Sequence, residues 1–300
     1  MLIISAVKDY AGDSVEEFTM ECNPDDVTPE YAAFLAGQGI NRVSMGVQTF
    51  SDERLHFLNR RHNASQIPEA VTALRKAGIN NISIDLMFGF PGETVEQWRD
   101  DITTALSLNV EHLSAYSLMY EEGTPLYSKL EKGVIEELPE GISAEMYETL
   151  LNLTHDAGYE HYEISNFAKP GYRSRHNSCY WNGTTYLGLG AAAHSYDGDS
   201  RQWNVSSVKE YISSINEGKI PFEREELDDD AKYNDIITTV LRTRDGIDLT
   251  TLSEHYRIYL LDNARKSLDN GHLTITNNHI HLTRQGLYIS DSVMEELIMI

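Results

Sequence analysis

Cysteine is nearly absent from this chain. Only Cys22 and Cys179 occur in 300 residues, far apart in sequence, which excludes a disulfide scaffold and any CxxC metal motif carried by the chain itself. Two thiols also fall short of the three or four thiolates that an iron–sulfur cluster needs. Positive charge is scarce as well: 24 Lys and Arg stand against 47 Asp and Glu, a formal net charge of -23. Nucleic-acid binding relies on a basic surface that displaces counterions, so no nucleic acid is expected as a partner. No apolar run approaches the roughly 18 residues of a membrane span. The start, MLIISAVKDYAGD, has neither a basic n-region nor a cleavage site. A cytoplasmic protein without a membrane span is the expectation.

What remains is an ordinary globular composition, 41% hydrophobic and 24% charged, on a chain long enough for one large domain and a smaller one. The first half alternates short β-type runs with helical ones. Candidate strands are Glu17–Glu21, Arg42–Gly46, Ile82–Leu86 and His112–Leu118. Between them lie Pro29–Gly37, Ser65–Gly78 and Thr94–Leu108 with apolar residues at helical spacing. Ile67, Ala70, Val71 and Leu74, for instance, fall at i, i+3, i+4 and i+7, with Lys76 and Gly78 as a stop. Strands alternating with such helices imply right-handed βαβ units and a parallel sheet, part of a β/α barrel or a doubly wound fold. In both, chemistry sits at the C-terminal ends of the strands. Glu21, Gln48, Asp85, the Gly89-Phe90-Pro91-Gly92 turn and Tyr116–Tyr120 occupy those ends.

The rhythm changes after about residue 140. A helix over Ala144–Ala157 leads to Tyr162–Phe167, a loop over Lys169–Ser174, the run RHNSCYW, and LGLGAAAH at Leu187–His194, which reads as a small-residue strand. From about Asp228 come two helical stretches, then Leu273–Thr276, an Asn277-Asn278 turn and His279–Leu282, a pattern like a winged helix. The domain expectation is 1–140, 141–225 and 226–300.

Six strings in this order, ECNPDD, NRVSMGVQTF, NRRH, NISIDLMFGFPGET, HLSAYSLMYEEGTPLY and YEISNFAKPGYRSRHNSCYW, resemble the oxygen-independent coproporphyrinogen III oxidase family of radical SAM proteins. The resemblance runs from about Glu16 to the C-terminus. It implies an α/β fold: a partial (β/α)6 radical-SAM barrel lacking its first two βα units, followed by a smaller α+β region with a winged-helix-like end. It also implies S-adenosylmethionine and a [4Fe–4S] cluster as cofactors. The family's CxxxCxxC ligands and its GGGTP turn do not occur in this sequence, so the chain as it stands is not expected to run radical chemistry.

Carried over position by position, the resemblance makes Glu21 the acceptor for the S-adenosylmethionine amino group. Gln48 becomes an amide contact and Asp85, taken to end its strand, the acceptor for the ribose hydroxyls. Arg60 becomes the partner of the methionine carboxylate, with Arg61 as its solvated neighbour. Residues 175–181 contain HNxxYW, which resembles the signature of the family's heme-chaperone branch. Imidazole is a standard heme ligand and Tyr and Trp offer flat apolar surface. His176, presented from a loop, is therefore the expected ligand of heme iron, with Cys179 and His194 as lesser candidates. The function implied is heme binding and transfer to an acceptor protein. The alternatives are the oxidase itself, decarboxylating coproporphyrinogen III in porphyrin biosynthesis, and an inactive fragment. An unpaired strand at the open sheet edge would favour association, and a homodimer is part of this expectation.

Overall fold

The computed structural model describes residues 2–12 and 15–300, and it divides the chain into two compact units, 1–174 and 175–300. In the first, strands β1 (Thr19–Cys22), β2 (Arg42–Gln48), β3 (Asn81–Phe88) and β4 (His112–Ser117) are parallel neighbours. Two antiparallel strands, β5 (Glu160–Glu163) and β6 (Asn166–Ala168), extend the sheet to the order β1-β2-β3-β4-β6-β5. Residues 160–168 thus belong to the sheet of the first unit, through the pairing of β4 with β6.

Helices α1 (Leu2–Ala11), α2 (Pro29–Gly37), α3 (Asp52–Phe57), α4 (Gln66–Lys76), α5 (Val95–Ser107), α6 (Pro125–Glu131) and α7 (Glu140–Asp156) complete this unit. Their starts follow local rules. Thr28 caps α2 ahead of Pro29, and Thr94 with Gln97 forms a capping box on α5.

The strands are two-sided. Val43, Met45, Val47, Ile82, Ile84, Leu86, Phe88, Leu113 and Ala115 are buried and alternate with Arg42, Ser44, Gly46, Asn81, Ser83, Asp85, His112 and Ser114. Because side chains alternate across a sheet, one face is apolar and the other polar. The apolar face packs on helices: the Phe88 ring meets Trp98 of α5 at 5.1 Å.

The second unit begins with α8 (Arg175–Trp181) and holds two antiparallel three-stranded sheets. Strands β7 (His194–Tyr196), β8 (Ser200–Asn204) and β9 (Phe222–Glu226) form the first, with α9 (Val208–Asn216) in the crossover. Strands β10 (Ile247–Asp248), β11 (Leu273–Thr276) and β12 (His279–Leu282) form the second. Helices α10 (Asp229–Thr239), α11 (Glu254–Asp269), α12 (Arg284–Leu287) and α13 (Ser290–Leu297) surround it, and Tyr233, Ile237, Leu260, Ile280 and Leu297 make its core. The Asn277-Asn278 turn has both φ values positive, 52° and 65°, as a tight hairpin demands.

Three local expectations are corrected. Residues 187–193 form no strand; Gly190 at φ 112° and Ala192 at φ 60° turn the backbone instead. His176 is presented from helix α8, not from a loop. Asp85 does not end its strand, since β3 runs on to Phe88. No helix among the described residues is long and apolar enough to cross a membrane.

Trp98 is fully buried and donates from its indole N–H to the Met146 carbonyl at 3.0 Å, tying α5 to α7. Trp98→Ala should cost about 3–5 kcal/mol, measured as a drop in the urea midpoint at unchanged m-value.

Candidate functional site

The polar face is where a site can form, and β2 is its spine. Ser44 lies opposite Glu21 in register on one side and reaches Asp85 on the other, Oγ to Oδ1 at 3.5 Å. Asp85 is also held by the Ser114 hydroxyl, and Ser114 donates to Asn166 Oδ1 at 3.1 Å. Buried Glu163 then accepts from the Asn166 amide at 2.5 Å. Burial pushes the Asp85 carboxyl up to about 6, with the nearby Glu21 charge adding to the shift and Ser114, the Arg42 charge and Ser44 opposing it.

Two residues further along β2, Gly46 has its carbonyl capped by Arg60 Nη2 at 2.7 Å. A side chain at Gly46 would overlap that Arg60 nitrogen and press on the Gln48 amide, so it would have to push the tip of Arg60 aside. Arg60 Nε is buried without a protein partner. Arg61 points elsewhere: it is exposed and paired with Asp25 at 3.2 Å and Asp26 at 2.9 Å. Glu21 and Asp85 thus adjoin Ser44, while Gln48 and Arg60 adjoin Gly46, on consecutive outward positions of one strand.

Gln48 itself is strained. Its φ is 68°, and the Thr49 N–H donates to the Val47 carbonyl at 2.9 Å across it, a three-residue turn that non-glycine residues seldom adopt. A buried ion network holds that turn. Asp101 accepts from the Thr49 hydroxyl at 2.6 Å and the Phe50 N–H at 3.1 Å. Arg54 bridges Asp101 at 3.0 Å to Glu93 at 3.2 Å, and Glu93 accepts from the N–H groups of Gly89 and Phe90 at 2.7 and 3.1 Å. One guanidinium therefore ties the turn after β2 to the Gly89-Phe90 turn after β3. Sequence reading missed this network, as it missed Ser44, Ser114 and Asn166; the alternation R-x-S-x-G and S-x-D along two strands was the available signal.

His176 stands in the second unit, exposed in the first turn of α8. One helical turn on, the Tyr180 hydroxyl lies 3.1 Å from its Nε2. Tyr180 meets Tyr186 edge to face at 4.7 Å, and Tyr186 lies 6.1 Å from Tyr196, which makes an aromatic wall beside the imidazole. Trp181 lies under the Arg242 guanidinium at 5.3 Å. His194 is exposed and stacked against Trp203 at 6.1 Å, and Cys179 is half-buried.

Asp85 is ionised at a cost, because its folded pKa lies above that of the unfolded chain. Its contribution favours folding below about pH 4 and is lost as the pH rises through about 6. Asp85→Asn should therefore stabilise the chain by about 1–3 kcal/mol above pH 7 and give no advantage near pH 4. Urea titrations across this range check it; a variant less stable at neutral pH would show that the serines outweigh burial.

The comparisons agree with this architecture. Residues 1–105 match the radical SAM superfamily. A protein of Bacillus subtilis named heme chaperone HemW is 40% identical over 243 residues, covering 81% of this chain and 64% of the relative. The HemW of Lactococcus lactis is 38% identical over 200 residues, 67% of this chain and 53% of its own length. The chain thus spans less than two thirds of these relatives. Among solved structures, the coproporphyrinogen III oxidase of Escherichia coli, a radical SAM enzyme, superimposes with a TM-score of 0.80 at 19% identity, over 98% of this chain and 74% of that one. The chain is thus similar through residues 1–105 to the radical SAM superfamily and, over 81% of its length, to a protein named heme chaperone HemW.

Proposed function

We propose that this chain binds heme and hands it to an acceptor protein, with His176 as the axial ligand. The observation that supports this reading most directly is the array His176–Tyr180–Tyr186, an imidazole at the surface beside phenol rings packed edge to face. Iron takes an imidazole nitrogen, and the rings give a porphyrin an apolar face. Curated relatives at 32–40% identity bear the name heme chaperone HemW. The oxidase alternative has the fold alone behind it. A cytoplasmic location goes with this proposal.

In the same proposal S-adenosylmethionine lies on the polar face of the first unit. The residues fit it: an Arg60 Nε without a protein partner, a Gly46 cradle that a Cβ would fill, and carboxylates at Glu21 and Asp85. Arg60 would pair with the methionine carboxylate, Glu21 would accept from the amino group, Asp85 would accept from the ribose hydroxyls and Gln48 would donate its amide. The family resemblance also implies a [4Fe–4S] cluster. The described residues do not fit a cluster: Cys22 and Cys179 lie in different units, and no group of three His, Cys, Asp or Glu could hold a metal.

Hemin titrated into the protein at pH 7 should give a saturable Soret band, lost or weakened at least tenfold in His176→Ala and kept in His194→Ala. Equal hemin affinity in His176→Ala would refute the assignment.

A further inference from the structure

One charge on the polar face is left over by the nucleoside site. Arg42 opens β2, at the opposite end of the strand from Gln48. It is only 3% exposed, its Nε is buried without a partner, and among the described residues its guanidinium makes no hydrogen bond and no ion pair. A buried guanidinium whose donors find no acceptor costs a fold stability, and a ligand that supplies the acceptor would recover it. Asn81, opposite Arg42 in register, leaves its Oδ1 buried and unpartnered; an amide can present either its oxygen or its NH2 to a ligand. Thr19 flanks Arg42 on the other side.

Carboxylates stand nearby but hold other partners: Glu17 accepts from the Thr19 hydroxyl at 3.4 Å and buried Glu163 accepts from Asn166. His112 lies between the Ser83 and Tyr162 hydroxyls, 2.8 Å from each, and its burial, with the Arg42 charge second, pushes it down to about 3. Arg173, above the Tyr162 ring at 5.5 Å, is already paired with Glu160 at 3.2 Å. Asp85, further along β3, feels the Arg42 charge, which favours its ionised form, but its hydrogen bonds come from Ser44 and Ser114 and it makes no ion pair with Arg42. One planar guanidinium that lacks a hydrogen-bonded acceptor, without a second free cation, matches a monoanion that can take two parallel hydrogen bonds. A phosphate dianion would need more charge than this corner has.

We propose that Arg42, with Asn81 and Thr19, forms a carboxylate-binding subsite at the N-terminal end of the polar face, separate from the nucleoside site at the strands' other end. The carboxylate belongs either to a small free acid or to a side arm of a larger ligand.

The test is thermal melting of the full chain in sodium acetate against sodium chloride at equal ionic strength. Acetate should raise the wild-type Tm by about 3 °C. Arg42→Met should abolish the rise and, in chloride, melt above wild type because the unpaired charge is gone. Arg60→Met should keep the rise, which separates this subsite from the rim. Metal-free protoporphyrin IX and its dimethyl ester distinguish the two sources. Arg42-dependent binding of the acid, at least tenfold tighter than that of the ester, marks a side arm; a response to acetate alone marks a free acid. If neither acetate nor the porphyrin acid distinguishes wild type from Arg42→Met, or if that variant melts lower in chloride, the guanidinium is a structural strut and the proposal fails. Should Arg42→Met not fold, Arg42→Lys replaces it; it keeps the charge, loses the fork, and should show a much smaller acetate shift.

Discussion

The structure of the first unit turns on one constraint: a sheet whose alternate residues are polar on one face and yet largely buried there. The sheet's aliphatic burial comes from the other face, where Val43, Met45, Ile82, Ile84 and Leu113 are sealed from water. The polar face gives up that contribution and accepts the cost of holding Asp85, Glu163, His112 and Arg42 out of solvent. Serines and amides between them soften the cost, as Ser44 and Ser114 do for Asp85. A fold tolerates such a face where ligand chemistry uses it.

The rim above this face is built with comparable expense. Gln48 adopts a backbone conformation that favours glycine, and the strain is sustained by Asp101 beneath the next two residues. Because Arg54 joins Asp101 to Glu93, the turns after β2 and β3 are held as one piece. Burial pushes the Asp101 and Glu93 carboxyls upward, while Arg54 and the N–H donors pull them back. This arrangement fixes where the Gln48 amide and the Gly89-Phe90 backbone stand before any ligand arrives, so little ordering remains to be done on binding.

Much of this was legible in the sequence because it is local. The helix Pro29–Gly37 and the hairpin around Asn277-Asn278 carry their own caps and turn residues, and their bounds agree with expectation. The four parallel strands were legible from their spacing. What escaped was either long-range or ambiguous. Arg54 and Asp101 are 47 residues apart, and nothing local announces that they meet. Leu187–His194 looks extended because Gly and Ala are silent about φ, and the chain uses that freedom to turn. Asp85 seemed to close its strand because a carboxylate is hard to place inside one. Read with period two, it belongs to the same polar row as Ser83.

The central claim is that Glu21, Gln48, Arg60 and Asp85 bound one nucleoside-sized site along β2. Calorimetric titration with S-adenosylhomocysteine tests it most directly, since that molecule keeps the adenosine and amino-acid ends and needs no cluster to bind. The account predicts measurable binding with one site per chain, weakened at least tenfold in Arg60→Met. Wild-type protein that takes up none of it, or an Arg60→Met variant that binds it equally well, would contradict the account.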